Sequence, residues 1–148
     1  MAENVKKELV ELLNNALRLE HAARNQYLAH AELLKGIDAE PVIKRLREIA
    51  SDEEKHQEKF RTLIGDYLGG EPVMDSAETH RAGKTEEILK VNLRDEKHAI
   101  DVYKGIYKKV LDSKDALKYE FETLEHELRH VIMDEQEHVT ELSLLLGI

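Results

Sequence analysis

Two stretches of this sequence decide the fold: Leu46-Arg-Glu-Ile-Ala-Ser-Asp-Glu-Glu-Lys-His56 and Leu128-Arg-His-Val-Ile-Met-Asp-Glu-Gln-Glu-His138. They are 82 residues apart and carry Leu, Arg, Asp, Glu and His at matching positions. In both, apolar residues recur every three or four positions, which is the period of a helix with one buried face. A weaker match relates Glu20-x6-Tyr27 to Glu96-x6-Tyr103. These matches indicate a duplicated helical hairpin.

The same periodicity continues along most of the chain. The four predicted helices cover approximately residues 4–35, 39–68, 85–111 and 114–146. Gly36 is expected to end the first helix and Ser113 to cap the fourth. Long helices joined by short turns within each pair are typical of a bundle. We therefore expect an all-α protein, with residues 1–148 forming a single four-helix bundle domain.

The middle connection, residues 69–84, is longer than the others and has turn composition. A helix of 30 residues is roughly 45 Å long, and sixteen extended residues reach roughly 53 Å. The connection can therefore run the full length of the bundle. We expect it to be a crossover that makes helices two and three parallel, in an up-down-down-up order. The alternative is a loose loop in an up-down-up-down bundle.

The composition excludes several classes of function. The chain has no cysteine, so it can form no disulfide, no cysteine-ligated metal site and no thiol nucleophile. A net charge of −9 disfavours direct nucleic-acid binding and favours the attraction of cations. No apolar run is long enough to span a membrane, and the N-terminus has no signal-peptide core, so we expect a cytoplasmic protein. What stands out is eight histidines among 31 acidic residues.

Acidic and histidine side chains interrupt the predicted core stripes at six positions. The six residues are Glu20, Glu53, His56, Glu96, Glu135 and His138. A Glu-x-x-His spacing places both side chains on one helix face, close enough to bind one metal ion. Buried carboxylates need a compensating charge, and two divalent cations would balance four of them. One Glu from each of two helices plus Glu-x-x-His from each of the others is the ligand pattern of ferritin-like di-iron bundles. Such ligands suit iron or manganese, with zinc as a possible substitute.

Other acid-x-x-His pairs are expected to face elsewhere. Glu127 and His130 lie eight residues before Glu135 and His138, a rotation of about 80° on a helix, so we expect a solvated surface pair. The pair Asp95 and His98 should point sideways because the neighbouring Glu96 occupies the core stripe. The remaining histidines are expected to be exposed or satisfied by hydrogen bonds. They are His21, His30, His80 and His126.

Two tyrosines are candidates for a supporting role. Tyr27 and Tyr103 each follow a predicted ligand glutamate by seven residues, or two helical turns, on the same face. If helices one and three are antiparallel, each phenol can donate to the glutamate of the opposite helix and so hold a metal-binding carboxylate. The alternative is that both rings simply pack in the bundle core.

The six residues together with Tyr27 resemble those of the ferritin-like di-iron carboxylate proteins, and of bacterioferritin most closely. The resemblance covers nearly the whole chain, and the repeated Asp-Glu-x-x-His run is its most specific part. It implies a site that binds two Fe(II) ions and oxidises them with O2 or H2O2. It also implies a homo-oligomer, a dimer or larger. The resemblance implies that Glu53 and Glu135 bridge the two ions. It also implies that one ion's coordination shell is completed by Glu20 with His56, and the other ion's by Glu96 with His138.

The sequence departs from bacterioferritin in two places. The haem-ligating methionine directly follows the helix-two ligand glutamate in that family, and Glu54 occupies this position here, so we expect no haem. No fifth helix is expected before Ile148, which argues against an iron-storing cage. Among related families, rubrerythrins carry a four-cysteine module that is absent here, and their extra helix-three glutamate would fall at Ala99. The DNA-protecting mini-ferritins place their ligands between subunits.

Three hypotheses for function follow. The first is a ferroxidase with a di-iron centre that serves iron homeostasis or protection from oxidative stress. The second is a rubrerythrin-like or manganese-catalase-like enzyme that removes peroxide. The third is a metal-free helical structural or partner-binding protein, whose acids and histidines form hydrogen-bond networks in the core.

Overall fold

The computed structural model describes all 148 residues, and every regular element in it is helical. The four long helices are α1 (Ala2–Leu33), α2 (Glu40–Thr62), α3 (Thr85–Asp112) and α4 (Phe121–Leu146). A short 3-10 turn, Ile37–Ala39, precedes α2, and a π-helical segment, Leu63–Tyr67, continues it. None of these helices is both long enough and apolar enough to cross a membrane.

The helices form two antiparallel hairpins that pack side by side. Within the hairpins α1 contacts α2 and α3 contacts α4, and between them α1 contacts α3 and α2 contacts α4. Helices α1 and α3 are antiparallel because Tyr27 reaches Glu96 while Tyr103 reaches Glu20. Since α2 and α3 both run opposite to α1, they are parallel to each other. The up-down-down-up bundle predicted from the length of the middle connection is confirmed.

The crossover between α2 and α3 lies along α1 and is hydrogen-bonded to it. The amide of Asn14 is bonded at both ends: its Nδ2 donates to the Glu71 carbonyl at 3.0 Å, and its Oδ1 accepts from the Val73 N–H at 3.0 Å. One turn later, Arg18 Nε donates to Asp75 Oδ1 at 2.8 Å. The crossover is therefore a strap fixed to α1 by polar contacts.

A buried polar network fixes the far end of this strap. The backbone N–H of His80 donates to Gln26 Oε1 at 2.6 Å, and the Nδ1 atom of the His80 ring lies 2.9 Å from Asp95 Oδ2. His30 donates from Nε2 to the His80 carbonyl at 3.0 Å and accepts at Nδ1 from Asn92 at 2.9 Å. Burial lowers the pKa of His30, which keeps its ring neutral in this arrangement. His30 is thus buried with both ring nitrogens satisfied.

The apolar core is divided into two clusters, and the six interrupting residues lie between them. One cluster is built around Leu13, Phe60 and Leu128, and the other around Leu46 and Ile88. On every helix the acidic or histidine positions fall between residues of the first cluster and residues of the second. The duplicated sequence therefore places one polar layer at the middle of the bundle.

The fourth helix begins later than the sequence predicts, at Phe121 rather than residue 114. Ser113 does not cap it. The backbone instead makes two separate turns, in which Leu117 N–H donates to the Ser113 carbonyl and Phe121 N–H donates to the Leu117 carbonyl. Leu117 is fully buried and anchors the turn in the core. The chain must reverse between the antiparallel helices α3 and α4, and residues 113–120 provide that reversal.

The first helix ends two residues earlier than predicted, at Leu33. Gly36 lies beyond the helix end and has a φ of 99°, a conformation that residues with a Cβ rarely adopt. It turns the chain into the 3-10 turn before α2, where Pro41 occupies the first helical turn. Pro is tolerated there because the first N–H groups of a helix have no partner within the helix.

Candidate metal centre

The structure brings all six predicted ligands together at the middle of the bundle. Each helix contributes at least one of them, and no residue of the set is more than 3% exposed. Their ligand atoms form two groups within which all atoms lie within 4.8 Å of one another. The groups are Glu20, Glu53, His56 and Glu135, and Glu53, Glu96, Glu135 and His138. Glu53 and Glu135 belong to both.

The two histidines lie on opposite sides of the shared glutamates. His56 Nδ1 lies 3.0 Å from Glu135 Oε1, 3.3 Å from Glu53 Oε1 and 3.4 Å from Glu20 Oε1. His138 Nδ1 lies 3.5 Å from Glu53 Oε1 and 3.6 Å from Glu135 Oε1. The ring centroids of the two histidines are 6.3 Å apart. This arrangement gives two adjacent positions that could each hold a metal ion. Each position is lined by one imidazole and several carboxylate oxygens.

Seven buried side-chain atoms in the protein have no hydrogen-bond partner, and all seven belong to these six residues. They include both carboxylate oxygens of Glu135 and the Nδ1 atoms of both histidines. Buried polar atoms are normally satisfied, so orphaned atoms that converge on one space need an explanation. Cations between them would satisfy all seven at once. Carboxylate oxygens and imidazole nitrogens fit iron, manganese or zinc.

Two aspartates that the sequence analysis did not single out orient the histidines. His56 Nε2 donates to Asp134 Oδ2 at 2.8 Å, and His138 Nε2 donates to Asp52 Oδ2 at 2.9 Å. Because Nε2 carries the donated proton, Nδ1 is the nitrogen left to face the carboxylates. The signal was present in the sequence, since each aspartate directly precedes a shared glutamate in the repeated Asp-Glu-x-x-His run.

The tyrosines lie where the sequence analysis placed them. Tyr27 donates its hydroxyl to Glu96 Oε1 at 2.8 Å, and Tyr103 donates to Glu20 Oε1 at 2.7 Å. Burial, together with the negative charge of nearby carboxylates, raises the pKa of both phenols well above the usual value. Both therefore stay protonated and act as hydrogen-bond donors. Each holds one oxygen of its glutamate and leaves the other facing the centre.

Residues 10–147 match the ferritin-like domain family. The chain belongs to this family. Its fold is similar to that of a ferritin-like di-iron carboxylate protein from Bacillus anthracis str. Ames, with 27% identity, a TM-score of 0.86 and coverage of 96% of this chain and 97% of that one. A comparison with curated proteins gives no significant match.

Two further structures carry the same fold. The dodecameric thioferritin of Bacteroides fragilis, a bacterioferritin-related protein, is 26% identical, with a TM-score of 0.82 and coverage of 96% of this chain and 86% of that one. The bacterioferritin of Desulfovibrio desulfuricans is 24% identical, with a TM-score of 0.87 and coverage of 99% and 82%. The resemblance to the ferritin-like proteins and bacterioferritin seen in the sequence is confirmed.

The electrostatics of this ferritin-like site favour protons or cations between the carboxylates. Burial and the neighbouring negative charges raise the pKa of Glu53 and Glu135 well above the usual value. Burial alone would lower the pKa of both histidines, but adjacent carboxylates outweigh it, raising His56 strongly and His138 to about 10. Without a metal the centre therefore holds protons, and a cation that binds there must displace them.

The other acid-x-x-His pairs of the ferritin-like domain lie outside this centre. Glu127 pairs with Lys59 at 3.3 Å, and His130 is only partly buried. Asp95 belongs to the network that holds the strap, while His98 is exposed. Both pairs have the spacing of metal ligands. They lie outside the centre because they are on a different face of their helix.

Proposed function

We propose that this ferritin-like protein is a ferroxidase that binds two Fe(II) ions at the six-residue centre and oxidises them with O2 or H2O2. The observation that carries the proposal is the convergence of seven orphaned buried atoms on two adjacent positions. Fold similarity to a protein described as a ferritin-like di-iron carboxylate protein, at 27% identity, supports it.

The ligand roles follow from how the two groups overlap. Glu53 and Glu135 belong to both groups, so we assign them as the bridging carboxylates. The other four residues each belong to one group only, so we assign them as terminal ligands, each binding a single ion. The two terminal pairs are Glu20 with His56 and Glu96 with His138. Four carboxylates balance the charge of two divalent cations, which removes the cost of burying them unpaired.

Iron is the substrate of this reaction and supplies the electrons. Two Fe(II) ions together give two electrons, which reduce one O2 to H2O2 or one H2O2 to two water molecules, with two protons consumed in each case. The protein fixes the positions of the ions. Tyr27 and Tyr103 restrict the terminal carboxylates, and Asp52 and Asp134 fix the histidine rings.

Anaerobic titration with Fe(II), followed by stopped-flow mixing with O2 and separately with H2O2, tests this function. We expect two Fe(II) ions to bind per chain and both to be oxidised on mixing. Catalytic loss of H2O2 without net iron oxidation would instead favour a peroxide-removing enzyme. Protein that binds no metal would overturn both and favour a structural role.

We also propose that the protein assembles into a homo-oligomer of at least two subunits. The similar thioferritin, at 26% identity, is described as dodecameric, which supports assembly. Light scattering on the metal-loaded sample gives the particle mass directly. A monomer at micromolar concentration would contradict the proposal.

The aspartates behind the histidines provide a prediction about metal affinity. Changing Asp52→Asn or Asp134→Asn replaces a charged acceptor of the histidine Nε2 proton by a neutral amide. We expect each change to weaken metal affinity by about 10–100-fold, since partners behind metal-binding histidines have effects of this size. Competition titration with a chromophoric chelator measures the affinity.

The matched control for these variants is Asp101→Asn, which makes the same chemical change at an exposed position on α3. Its metal affinity should equal that of the wild type. Unchanged affinity in both Asp52→Asn and Asp134→Asn would show that the aspartates do not orient the ligands.

A further inference from the structure

A second set of possible metal ligands lies on α4, outside the buried centre. His126, His130 and Asp134 are spaced four residues apart, so they follow one another along a single helix face. The ring centroids of His126 and His130 are 4.2 Å apart, with the planes tilted by 38°. Two imidazoles one helical turn apart on the same face can hold one cation between them.

Neither imidazole of this pair makes a hydrogen bond to another group of the protein. The carboxylate within ion-pair distance is that of Glu127, whose Oε1 lies 3.4 Å from His126 Nδ1. The charge of Glu125 is also near His126, but that carboxylate is already bonded to Tyr107 and Arg129. The other oxygen of Glu127 lies 3.3 Å from Lys59 Nζ, so its charge is already balanced. The side chain of His126 is 55% exposed. The pair therefore offers free nitrogen ligands to cations in solvent.

The three residues His126, His130 and Asp134, here called the histidine row, lead from the surface to the edge of the buried centre. Asp134 follows His130 by one turn, a rise of about 6 Å along the helix. One oxygen of Asp134 accepts from His56 Nε2, and its side chain is 45% exposed. Asp134 is therefore the point at which the exposed row meets a ligand of the centre.

The row exists in only one half of the duplicated chain. In the alignment of the two halves, His126, His130 and Asp134 correspond to Lys44, Glu48 and Asp52. A lysine repels cations, and Glu48 is paired with an arginine at 3.3 Å. The histidine row is thus not a by-product of the repeat that builds the buried ligands.

We propose that His126 and His130 bind a divalent transition-metal cation at the surface of α4, and that Asp134 transfers it to the buried centre. The ligand class is a cation that accepts imidazole, such as Fe(II), Co(II) or Zn(II). Binding at the surface raises the local cation concentration next to the centre. The transfer step rests on the proposed function, whereas binding at the histidine pair does not.

The test compares the double variant His126→Gln/His130→Gln with the wild type. Glutamine is a good helix former, so α4 is retained, and circular dichroism checks this. Equilibrium dialysis against Zn(II) should show one fewer bound ion per chain in the variant. Anaerobic stopped-flow mixing with Co(II) should show the same final absorbance of the buried centre, reached about tenfold more slowly, within the range by which local concentration changes on-rates.

The control variant is Glu78→Gln/His98→Gln, which changes two lining residues of a cavity of about 60 Å³ between α1 and α3 that also reaches the centre. It should load Co(II) at the wild-type rate. Slower loading in this variant alone would assign access to that cavity and overturn the transfer.

Equal Zn(II) stoichiometry in the wild type and His126→Gln/His130→Gln would overturn the surface site, and equal Co(II) loading rates would overturn the transfer. If the wild type shows no absorbance from a buried Co(II) centre, the proposed function fails and the transfer fails with it. The Zn(II) difference would still decide whether the surface pair binds a cation.

Discussion

Replacing Glu53 and Glu135 together by glutamine is expected to abolish paired metal binding while stabilising the metal-free protein. Both carboxylates are shared between the two ligand groups, so their loss removes part of each position. Without a metal, the same carboxyl groups lie about 1% exposed among other acids, so each must either keep a proton or carry an unfavourable charge. Neutral side chains of nearly equal volume should raise the free energy of unfolding by about 1–4 kcal/mol.

The pH dependence of stability should change with this substitution. In the metal-free wild type the folded state raises the pKa of both glutamates and of His56 and His138, so it binds more protons than the unfolded chain. Stability then falls as pH rises, from about pH 4.5, the ordinary pKa of a glutamate, to about pH 10, the pKa of His138 in the folded protein. The glutamine variant lacks the two carboxyl groups, so its stability should fall less steeply over the same range.

Urea unfolding of chelator-treated protein at several pH values, together with Fe(II) titration, measures both effects. Glu58→Gln/Glu137→Gln is the matched control, because it makes the same charge change at exposed positions on the same two helices. This control should keep both metal binding and the wild-type stability profile. A Glu53→Gln/Glu135→Gln protein that binds two metals, or that is less stable than the wild type without metal, would contradict the ligand assignment.

The second large effect is expected from Phe60→Ala. Phe60 is fully buried and packs edge-on against the ring of Tyr103, with centroids 5.5 Å apart and an interplanar angle of 72°. Truncation leaves a cavity beside the candidate metal centre and removes this aromatic contact. We expect the free energy of unfolding to fall by about 3–5 kcal/mol. Because Tyr103 holds Glu20, metal affinity should fall as well.

Denaturant unfolding of the metal-free protein separates the packing effect from metal binding. Phe60→Leu keeps most of the side-chain volume and should cost less than about 1.5 kcal/mol. Leu144→Ala, at a position that is 72% exposed, should change stability by less than about 0.5 kcal/mol. A loss below about 1 kcal/mol in Phe60→Ala would contradict this expectation and would mean that the core relaxes around the cavity.

Much of the fold could be predicted because the controlling signals are periodic and local. Helical periodicity located the four helices, and the length of residues 69–84 predicted the crossover. The position of Glu53 and His56 within an apolar stripe placed them in the core, where the structure has them. Seven-residue spacing placed Tyr27 within reach of Glu96.

The remaining features depend on contacts between distant segments. Leu117 continues the apolar stripe of α4, and the stripe does not reveal that the helix starts only after the turn it anchors. The sequence does not identify Asp52 as a partner of His138, because the two residues lie on different helices, 86 residues apart. The contacts of Gln26 and Asn14 with the crossover likewise arise only when the strap is folded against α1. Spacing within one helix carries no information about such partners.

The contacts around the centre are reciprocal between the two halves of the chain. Each half supplies the aspartate that holds the other half's histidine, and each supplies the tyrosine that holds the other half's terminal glutamate. The two hairpins thus meet through an isologous interface, the kind that joins the subunits of a twofold-symmetric dimer. A single hairpin contains only half of every such contact. Neither half can therefore organise a metal position alone, and the strap keeps the two complementary halves at a fixed one-to-one ratio.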